Sequence, residues 1–276
     1  MSIITKKSLV AAGILTALIA GNVAMAADVP AGVQLAEKQT LIRNNGAEPQ
    51  SLDPNKIEGV PESNVSRDLF EGLLITSPVD GHPVPGVAES WDNKDFKVWT
   101  FHLRKDAKWS NGEPVTAQDF VYSWQRLVDP NTASPYASYP QYGHIVNVDA
   151  IIDGKMKPSE LGVKAIDDHT LEVTLSEPVP YFYKLLVNPA MSPVNKTAIE
   201  KFGEKWTQPA NIVSNGAFKL QDWVVNERIV MVRNTNYWNN GKTVLDQITY
   251  LPISSEVTDV NRYRSGEIHM TYNNLP

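Results

Sequence analysis

Residues 98–120, VWTFHLRKDAKWSNGEPVTAQDF, decide the fold. The first six residues alternate between apolar and polar, with Trp99, Phe101 and Leu103 on one face. Strict alternation is typical of a β-strand that is buried on one side. The stretch therefore predicts a strand over Val98–Leu103 whose aromatic face covers a core.

A turn and a helix follow this strand. Residues 110–113, SNGE, predict the turn. Thr116 predicts the N-cap of a helix over residues 117–127, with Asp119 in the capping-box position. The apolar residues Phe120, Trp124 and Leu127 lie four and three positions apart, which places them on one helix face. A strand, a turn and a helix together predict a mixed α/β fold.

Similar patterns extend the prediction toward the C-terminus. Segments 163–166 and 171–175 predict a hairpin, 217–223 and 228–233 a second strand pair, and 247–251 a further strand. Asn195 and Ser255 predict N-caps of short helices over 196–202 and 256–265, closed by Gly203 and Gly266.

The first 26 residues have the three parts of a secretory signal peptide. Lys6 and Lys7 form the basic start, residues 9–19 form an apolar stretch, and AMA at 24–26 predicts cleavage before Ala27. The apolar stretch is shorter than the ~20 residues that a membrane-spanning helix needs. We therefore expect export of a soluble product, with an uncleaved membrane anchor as the alternative.

Composition limits the partners and the chemistry. The net charge of −6 becomes −8 without Lys6 and Lys7, which argues against nucleic acid or an anionic membrane as partner. The sequence has no cysteine, so we expect no lipid anchor, no disulfide and no Cys-ligated metal. These features predict a soluble, monomeric protein of the periplasm.

No motif for catalysis or for a cofactor emerges from the sequence. The five histidines are scattered, and Asp167, Asp168 and His169 sit on a predicted tight turn, where neighbouring side chains diverge. Residues 240–243, NGKT, lack the first glycine of a phosphate-binding loop, and no G-x-S-x-G elbow is present. We expect neither an enzyme nor a metal or cofactor site.

A loop at residues 134–142, SPYASYPQY, places three tyrosines between prolines. Loops held on a rigid scaffold commonly carry recognition. The alternative is local packing of the rings, with their hydroxyl groups in solvent.

Three ordered stretches resemble the peptide and nickel class of solute-binding proteins that serve ABC importers: GVAESW at 86–91, WTFHLR at 99–104 and WSNGEPVTAQDF at 109–120. Shorter matching stretches are SLDP at 51–54, LFEGL at 69–73, NGAF at 215–218 and NYW at 236–238. The oligopeptide-binding members are the most similar, through IEGVPES at 57–63, NTASPYASY at 131–139 and EVTDVNRYRSGE at 256–267.

The resemblance implies two lobes that close over an extended peptide. It implies that this chain forms one mixed α/β lobe, with a first subdomain built from residues 27–70 and 194–276. Residues 71–193 would form an inserted second subdomain. Four prolines between residues 178 and 193 independently indicate a boundary near the return point.

The resemblance also implies the binding residues. Glu58, Gly59 and Val60 match an extended segment that offers main-chain N–H and C=O groups to the peptide. Gly59 suits such a segment because the missing Cβ lets another backbone come close. Tyr136 matches a tyrosine that hydrogen-bonds the peptide. Near the cleft wall or the hinge, the resemblance places Tyr272, Asn273 and Asn274.

Members of the class continue well beyond the length of this chain. Their second lobe carries the acidic residue that pairs with the terminal ammonium of the peptide. We therefore expect the chain alone to bind peptides weakly or not at all. The alternatives are a relative that binds dipeptides, murein peptides, haem or nickel, a truncated remnant that binds nothing, and an exported hydrolase with dispersed catalytic residues.

Overall fold

The computed structural model describes residues 29–272. The predicted signal peptide with its cleavage before Ala27, together with Asn273 and Asn274, lies outside the described residues. The described chain is mixed α/β, as predicted. The strands are β1 (Thr40–Asn44), β2 (Leu74–Thr76), β3 (Pro83–Pro85), β4 (Ala88–Lys94), β5 (Val98–Leu103), β6 (Val163–Asp167), β7 (Thr170–Thr174), β8 (Phe218–Val224), β9 (Arg228–Arg233) and β10 (Gln247–Leu251).

Helices lie between these strands. They are α1 (Val60–Leu69), α2 (Ala117–Val128), α3 (Val148–Ile152), α4 (Phe182–Leu185), α5 (Lys196–Phe202) and α6 (Glu256–Arg264). Among residues 29–272, no helix is both long and apolar enough to cross a membrane.

The first sheet joins segments that are distant in sequence. Its strand order is β1-β10-β9-β8, and β1 runs parallel to β10 with Thr40 opposite Gln247. The other two pairs are antiparallel. A parallel pair requires a long connection between its strands, and here the second sheet lies within that connection.

The second sheet is local and antiparallel, with the order β4-β5-β7-β6. Trp99, Phe101 and Leu103 of β5 are buried, which confirms the predicted inner face. Helix α2 packs against β6 and β7 and buries Phe120 and Trp124. A short hairpin of β2 and β3 forms a two-stranded sheet of its own, next to β4.

The predicted caps are present. The backbone N–H of Thr116 donates to Asp119 Oδ2 at 2.8 Å, which forms the capping-box bond at the start of α2. Asn195 Oδ1 accepts from Ala198 N at 2.9 Å, and Ser255 Oγ accepts from Thr258 N at 3.3 Å. These bonds satisfy amides that the first turn of a helix leaves without a partner.

The division into subdomains stays a prediction. The second sheet lies entirely within residues 71–193, and the first sheet draws its strands from both sides of that range.

Candidate functional site

Residues 58 and 59 form a short extended segment between two regular elements. A 3₁₀ turn, Pro54–Lys56, precedes it, and α1 begins directly after it at Val60. Gly59 is the N-cap of α1, with φ −94° and ψ 176°. Glu58 is exposed, and Val60 is 53% exposed. The resemblance implies an extended backbone at all three residues, whereas in the structure Val60 is already the first residue of α1.

The main chain of this segment is open. Among the hydrogen bonds of residues 29–272, none takes up the N–H of Glu58, the N–H of Gly59 or the C=O of Glu58. The C=O of Gly59 accepts from Ser63 N at 3.1 Å, as the first turn of α1 requires. A short stretch of accessible backbone donors and an acceptor is therefore available to a ligand.

A cavity of about 200 Å³ adjoins the segment. It is lined by polar and charged residues with one proline: Gln50, Lys56, Glu58, Gly59, Glu62 and Pro135. The carboxylate of Glu62 is buried and accepts from Gln50 N at 2.8 Å. A Cβ on Gly59 would lie 2.6 Å from Glu62 Oε2, so only glycine fits without displacing that carboxylate.

The tyrosine loop meets this cavity through Pro135, which precedes Tyr136. The ring of Tyr136 is half-buried and stacks on Tyr139, with centroids 5.2 Å apart. Tyr139 is anchored because its hydroxyl donates to Leu185 O at 2.9 Å. The hydroxyl of Tyr136 bonds to no other residue within 29–272. The rings thus pack locally, while the hydroxyl of Tyr136 is left available for a hydrogen bond.

Tyr272 lies near Gly46 and Asp259. Its ring packs against Gly46, where a Cβ would lie 2.5 Å from a ring carbon, and its N–H donates to Asp259 Oδ2 at 2.9 Å. The neighbouring Asn45 donates from Nδ2 to Pro61 O at 3.1 Å. Tyr272 lines a different cavity, of about 150 Å³, so the structure does not bring it to the cavity of Glu58.

A buried ion pair, which the sequence analysis did not single out, lies under the segment. Asp53 is 4% exposed and accepts from both terminal nitrogens of Arg126, at 2.6 and 2.9 Å. Trp206 Nε1 donates to the same carboxylate at 3.2 Å. The signal for Asp53 was its place before Pro54, where Asp typically caps a turn; nothing in the sequence indicated its partners.

A second buried carboxylate, Glu71, lies where the chain leaves the first sheet region. It accepts from the Tyr237 hydroxyl and from Trp238 Nε1, and its backbone N–H and C=O both bond to the side chain of Asn215. Burial raises the pKa of Glu71 from 4.5 to about 7, against the lowering effect of these bonds and of Arg104.

The predicted turn at residues 167–169 shows no metal site. His169 N donates to Asp167 Oδ1 at 2.8 Å, so the aspartate serves its own turn, and this bond lowers the pKa of that carboxyl. Within residues 29–272, no group of three or more His, Asp or Glu side chains could hold a metal ion.

The two sheets and the open backbone segment define the class: this is the fold of a solute-binding protein. The chain belongs to the bacterial extracellular solute-binding proteins, family 5, since the family model described as "family 5 Middle" matches residues 82–276.

Named relatives support this assignment. The chain is 79% identical to the periplasmic oligopeptide-binding protein OppA of Salmonella typhimurium, over all of this chain and 51% of that protein. The structure of Haemophilus influenzae OppA in complex with the peptide RPPGFSPFR has a TM-score of 0.86 at 54% identity, over 88% of this chain and 47% of that one. The Escherichia coli murein tripeptide binding protein MppA gives a TM-score of 0.83 at 53% identity, over 85% and 46%.

The chain thus spans about half the length of the relatives that it matches. These relatives are solute-binding proteins, and the OppA relatives are described as periplasmic.

Proposed function

We propose that this chain is part of an extracytoplasmic solute-binding component that captures extended oligopeptides, largely through their backbone, for uptake by an ABC importer. The observation that carries the proposal is the unpaired main chain of Glu58 and Gly59 at a polar cavity that the tyrosine loop reaches through Pro135. Val60 belongs to the same proposed set of peptide-binding residues, and we propose Tyr272, Asn273 and Asn274 at the cleft wall or the hinge.

Backbone pairing explains how such a segment would select peptides without selecting a sequence. A peptide that adds itself as a strand obtains its hydrogen bonds from main-chain groups, which every residue except proline provides. Gly59 has no side chain to keep the two backbones apart. The roomy polar cavity next to it can hold water, which adapts to different side chains of the ligand.

The relatives point in the same direction. An OppA relative of the same fold was solved with a nonapeptide, RPPGFSPFR. Because this chain spans about half of that protein, we propose that on its own it binds peptides weakly or not at all. Closure of a second lobe over the ligand excludes water and strengthens every polar contact, and a single lobe lacks that contribution.

The remaining proposals follow from the same assignment. We place the protein in the periplasm, as a soluble monomer without a lipid anchor that delivers its ligand to the membrane subunits of an ABC importer. No catalytic role is proposed. The two proposed subdomains are residues 27–70 with 194–276, and the insertion 71–193; the strand membership of the two sheets supports this division.

An NMR titration with Ala-Ala-Ala tests the proposal on the chain itself. We expect shift changes of the Glu58 and Gly59 amides and of the Tyr136 ring at millimolar peptide. A control tripeptide with N-methylated amides cannot pair with a strand and should produce none. Equal changes with both peptides, or changes confined to other residues, would contradict backbone capture. Micromolar binding in calorimetry would contradict the expected weakness of one lobe.

A murein tripeptide is the second candidate ligand, because the murein tripeptide binding protein MppA shares the fold at 53% identity. The same titration with that tripeptide distinguishes the candidates. Affinity well above that for Ala-Ala-Ala would favour recognition of the murein peptide, and equal affinity would favour general backbone capture.

A further inference from the structure

The 3₁₀ turn that leads into the binding segment is capped and buried. Asp53 Oδ1 accepts from Asn55 N at 2.9 Å, which closes the turn before the chain reaches Glu58. Asn55 and Ile57 are buried on either side of Lys56. The direction in which the chain enters the open segment is therefore set by the orientation of this turn.

Helix α2 holds the turn through two side chains that lie on one face. Arg126 makes a two-bond fork to the carboxylate of Asp53, and its Nη1 also lies 2.9 Å from Asn55 Oδ1. Ser123, three residues earlier, accepts from Asn55 Nδ2 at 3.1 Å and donates to Ser192 O at 2.6 Å. Residues three apart share a helix face, so α2 contacts the turn through two neighbouring side chains.

The open segment has few contacts of its own to orient it. Glu58 is exposed, and no backbone hydrogen bond within residues 29–272 involves the N–H of Glu58 or Gly59. A segment that must present its main chain to a ligand gains affinity when its conformation is already set, since less entropy is lost on binding. The hydrogen bonds between α2 and the turn can set the conformation of this segment before a ligand binds.

We propose that the Asp53–Arg126 ion pair is the positioning element of the binding segment: by fastening the turn to α2, it sets the direction in which Glu58 and Gly59 present their main chain. The inference rests on the proposed function for its consequence in peptide binding. Its effect on the order of the segment exists without any ligand. The planar fork of Arg126 matches a carboxylate with two parallel bonds, which a lysine cannot make.

The test compares Asp53→Asn and Arg126→Lys with a matched control, Glu71→Gln, which alters a different buried carboxylate. For each folded variant, NMR relaxation gives the order parameters of the Glu58 and Gly59 amides. A titration with Ala-Ala-Ala then gives the affinity.

We expect the order parameters of both amides to fall from near 0.85 toward about 0.6 in Asp53→Asn, with an intermediate fall in Arg126→Lys. We expect the affinity to fall about tenfold in Asp53→Asn. In Glu71→Gln, the order parameters at residues 58 and 59 and the affinity should match the unsubstituted chain.

Unchanged order at residues 58 and 59 in both Asp53→Asn and Arg126→Lys would overturn the positioning role, as would an equal loss of order in Glu71→Gln. If Asp53→Asn does not fold, Arg126→Lys decides, because it keeps the charge. If the unsubstituted chain shows no response to the peptide, detectable capture by this lobe alone is refuted, while the order parameters still decide whether the ion pair positions the segment.

Discussion

Asp53 and Glu71 are both buried carboxylates that lie where distant parts of the chain meet, but their partners differ. Asp53 faces a guanidinium group that forms two hydrogen bonds with it. Glu71 faces neutral donors, the Tyr237 hydroxyl and Trp238 Nε1.

Arg104, whose charge lowers the pKa of Glu71, is engaged with other groups. Arg104 lies over the Trp238 ring, with its Cζ 3.4 Å from the ring centroid, and its Nε donates to Gly86 O at 2.8 Å. Without a direct ion pair, burial dominates and raises the pKa of Glu71 to about 7. The comparison shows that Asp53 is stabilised by an ion pair with Arg126, whereas Glu71 is stabilised by hydrogen bonds from neutral groups.

The largest expected effect on stability comes from breaking the buried ion pair of Asp53 and Arg126. Arg126→Leu leaves the Asp53 carboxylate buried without its cation, and we expect the free energy of unfolding at pH 7 to fall by about 3–5 kcal/mol. Urea denaturation measures the loss. Glu71→Gln is the matched control and should not lower stability at pH 7, since its hydrogen-bond acceptor is kept and no charge remains buried. A similar loss in both variants, or no loss in Arg126→Leu, would remove the contrast between the two carboxylates.

The contribution of Glu71 to the free energy of unfolding should depend on pH. Because folding raises the pKa of Glu71 from 4.5 to about 7, the folded state binds more protons than the unfolded state in this window. The stabilisation is complete below pH 4.5 and is lost as the pH rises through 7, with a contribution of up to about 3 kcal/mol. We expect Glu71→Gln to remove this decline in urea titrations from pH 4 to pH 8.

Asp68 provides the control for that pH series. Burial raises its pKa from 3.8 to about 6, against the lowering effect of its bond with Tyr250. Asp68→Asn should therefore flatten the decline between pH 4 and pH 6 and leave the part near pH 7 unchanged. If the two substitutions flatten the same range, the assignment of the upper range to Glu71 is wrong.

A smaller effect is expected from Gly59→Ala, which tests the open backbone of Glu58 and Gly59. The new Cβ would displace the Glu62 carboxylate from Gln50 N and would obstruct an approaching backbone. We expect the affinity for Ala-Ala-Ala to fall about tenfold, or about 1.4 kcal/mol, in an NMR titration. The double variant Gly59→Ala with Glu62→Ala relieves the clash. Recovered affinity there would show that the clash, and not the obstructed backbone, causes the loss.

The smallest effect is expected from Tyr136→Phe. The hydroxyl bonds to no other residue within 29–272, so its removal should leave the midpoint of thermal unfolding unchanged. One lost hydrogen bond to the peptide is worth about 1 kcal/mol, or roughly a fivefold loss of affinity. Tyr139→Phe is the contrasting variant, because it removes the bond to Leu185 O and should lower stability. An unchanged affinity in Tyr136→Phe would exclude its hydroxyl from the site.

Local patterns predicted the elements of the second sheet region well. The strand Val98–Leu103, the capped helix α2 and the hairpin of β6 and β7 all depend on neighbours close in sequence. Their alternation, caps and turn residues are therefore visible without the tertiary structure.

Two elements next to the candidate site, β1 and α1, were not predicted, each for a different reason. Strand β1 obtains its hydrogen bonds from β10 and from residues 269–270, which lie far along the chain. Helix α1 is mostly polar, and its start at Gly59 has no side-chain cap. Only Val65 and Leu69 of its apolar residues are buried, which is too sparse a stripe to indicate a helix.

By itself, the sequence determined the mixed α/β class, the local strand–turn–helix unit and, through resemblance, the candidate residues Glu58, Gly59, Val60 and Tyr136. The tertiary structure alone decided that Arg126 pairs with Asp53, that Arg104 stacks on Trp238, and that Tyr272 lies apart from the cavity of Glu58. The physical reason is that caps and periodicity act between residues close in sequence. The partner of a buried charge is set by which distant elements pack together.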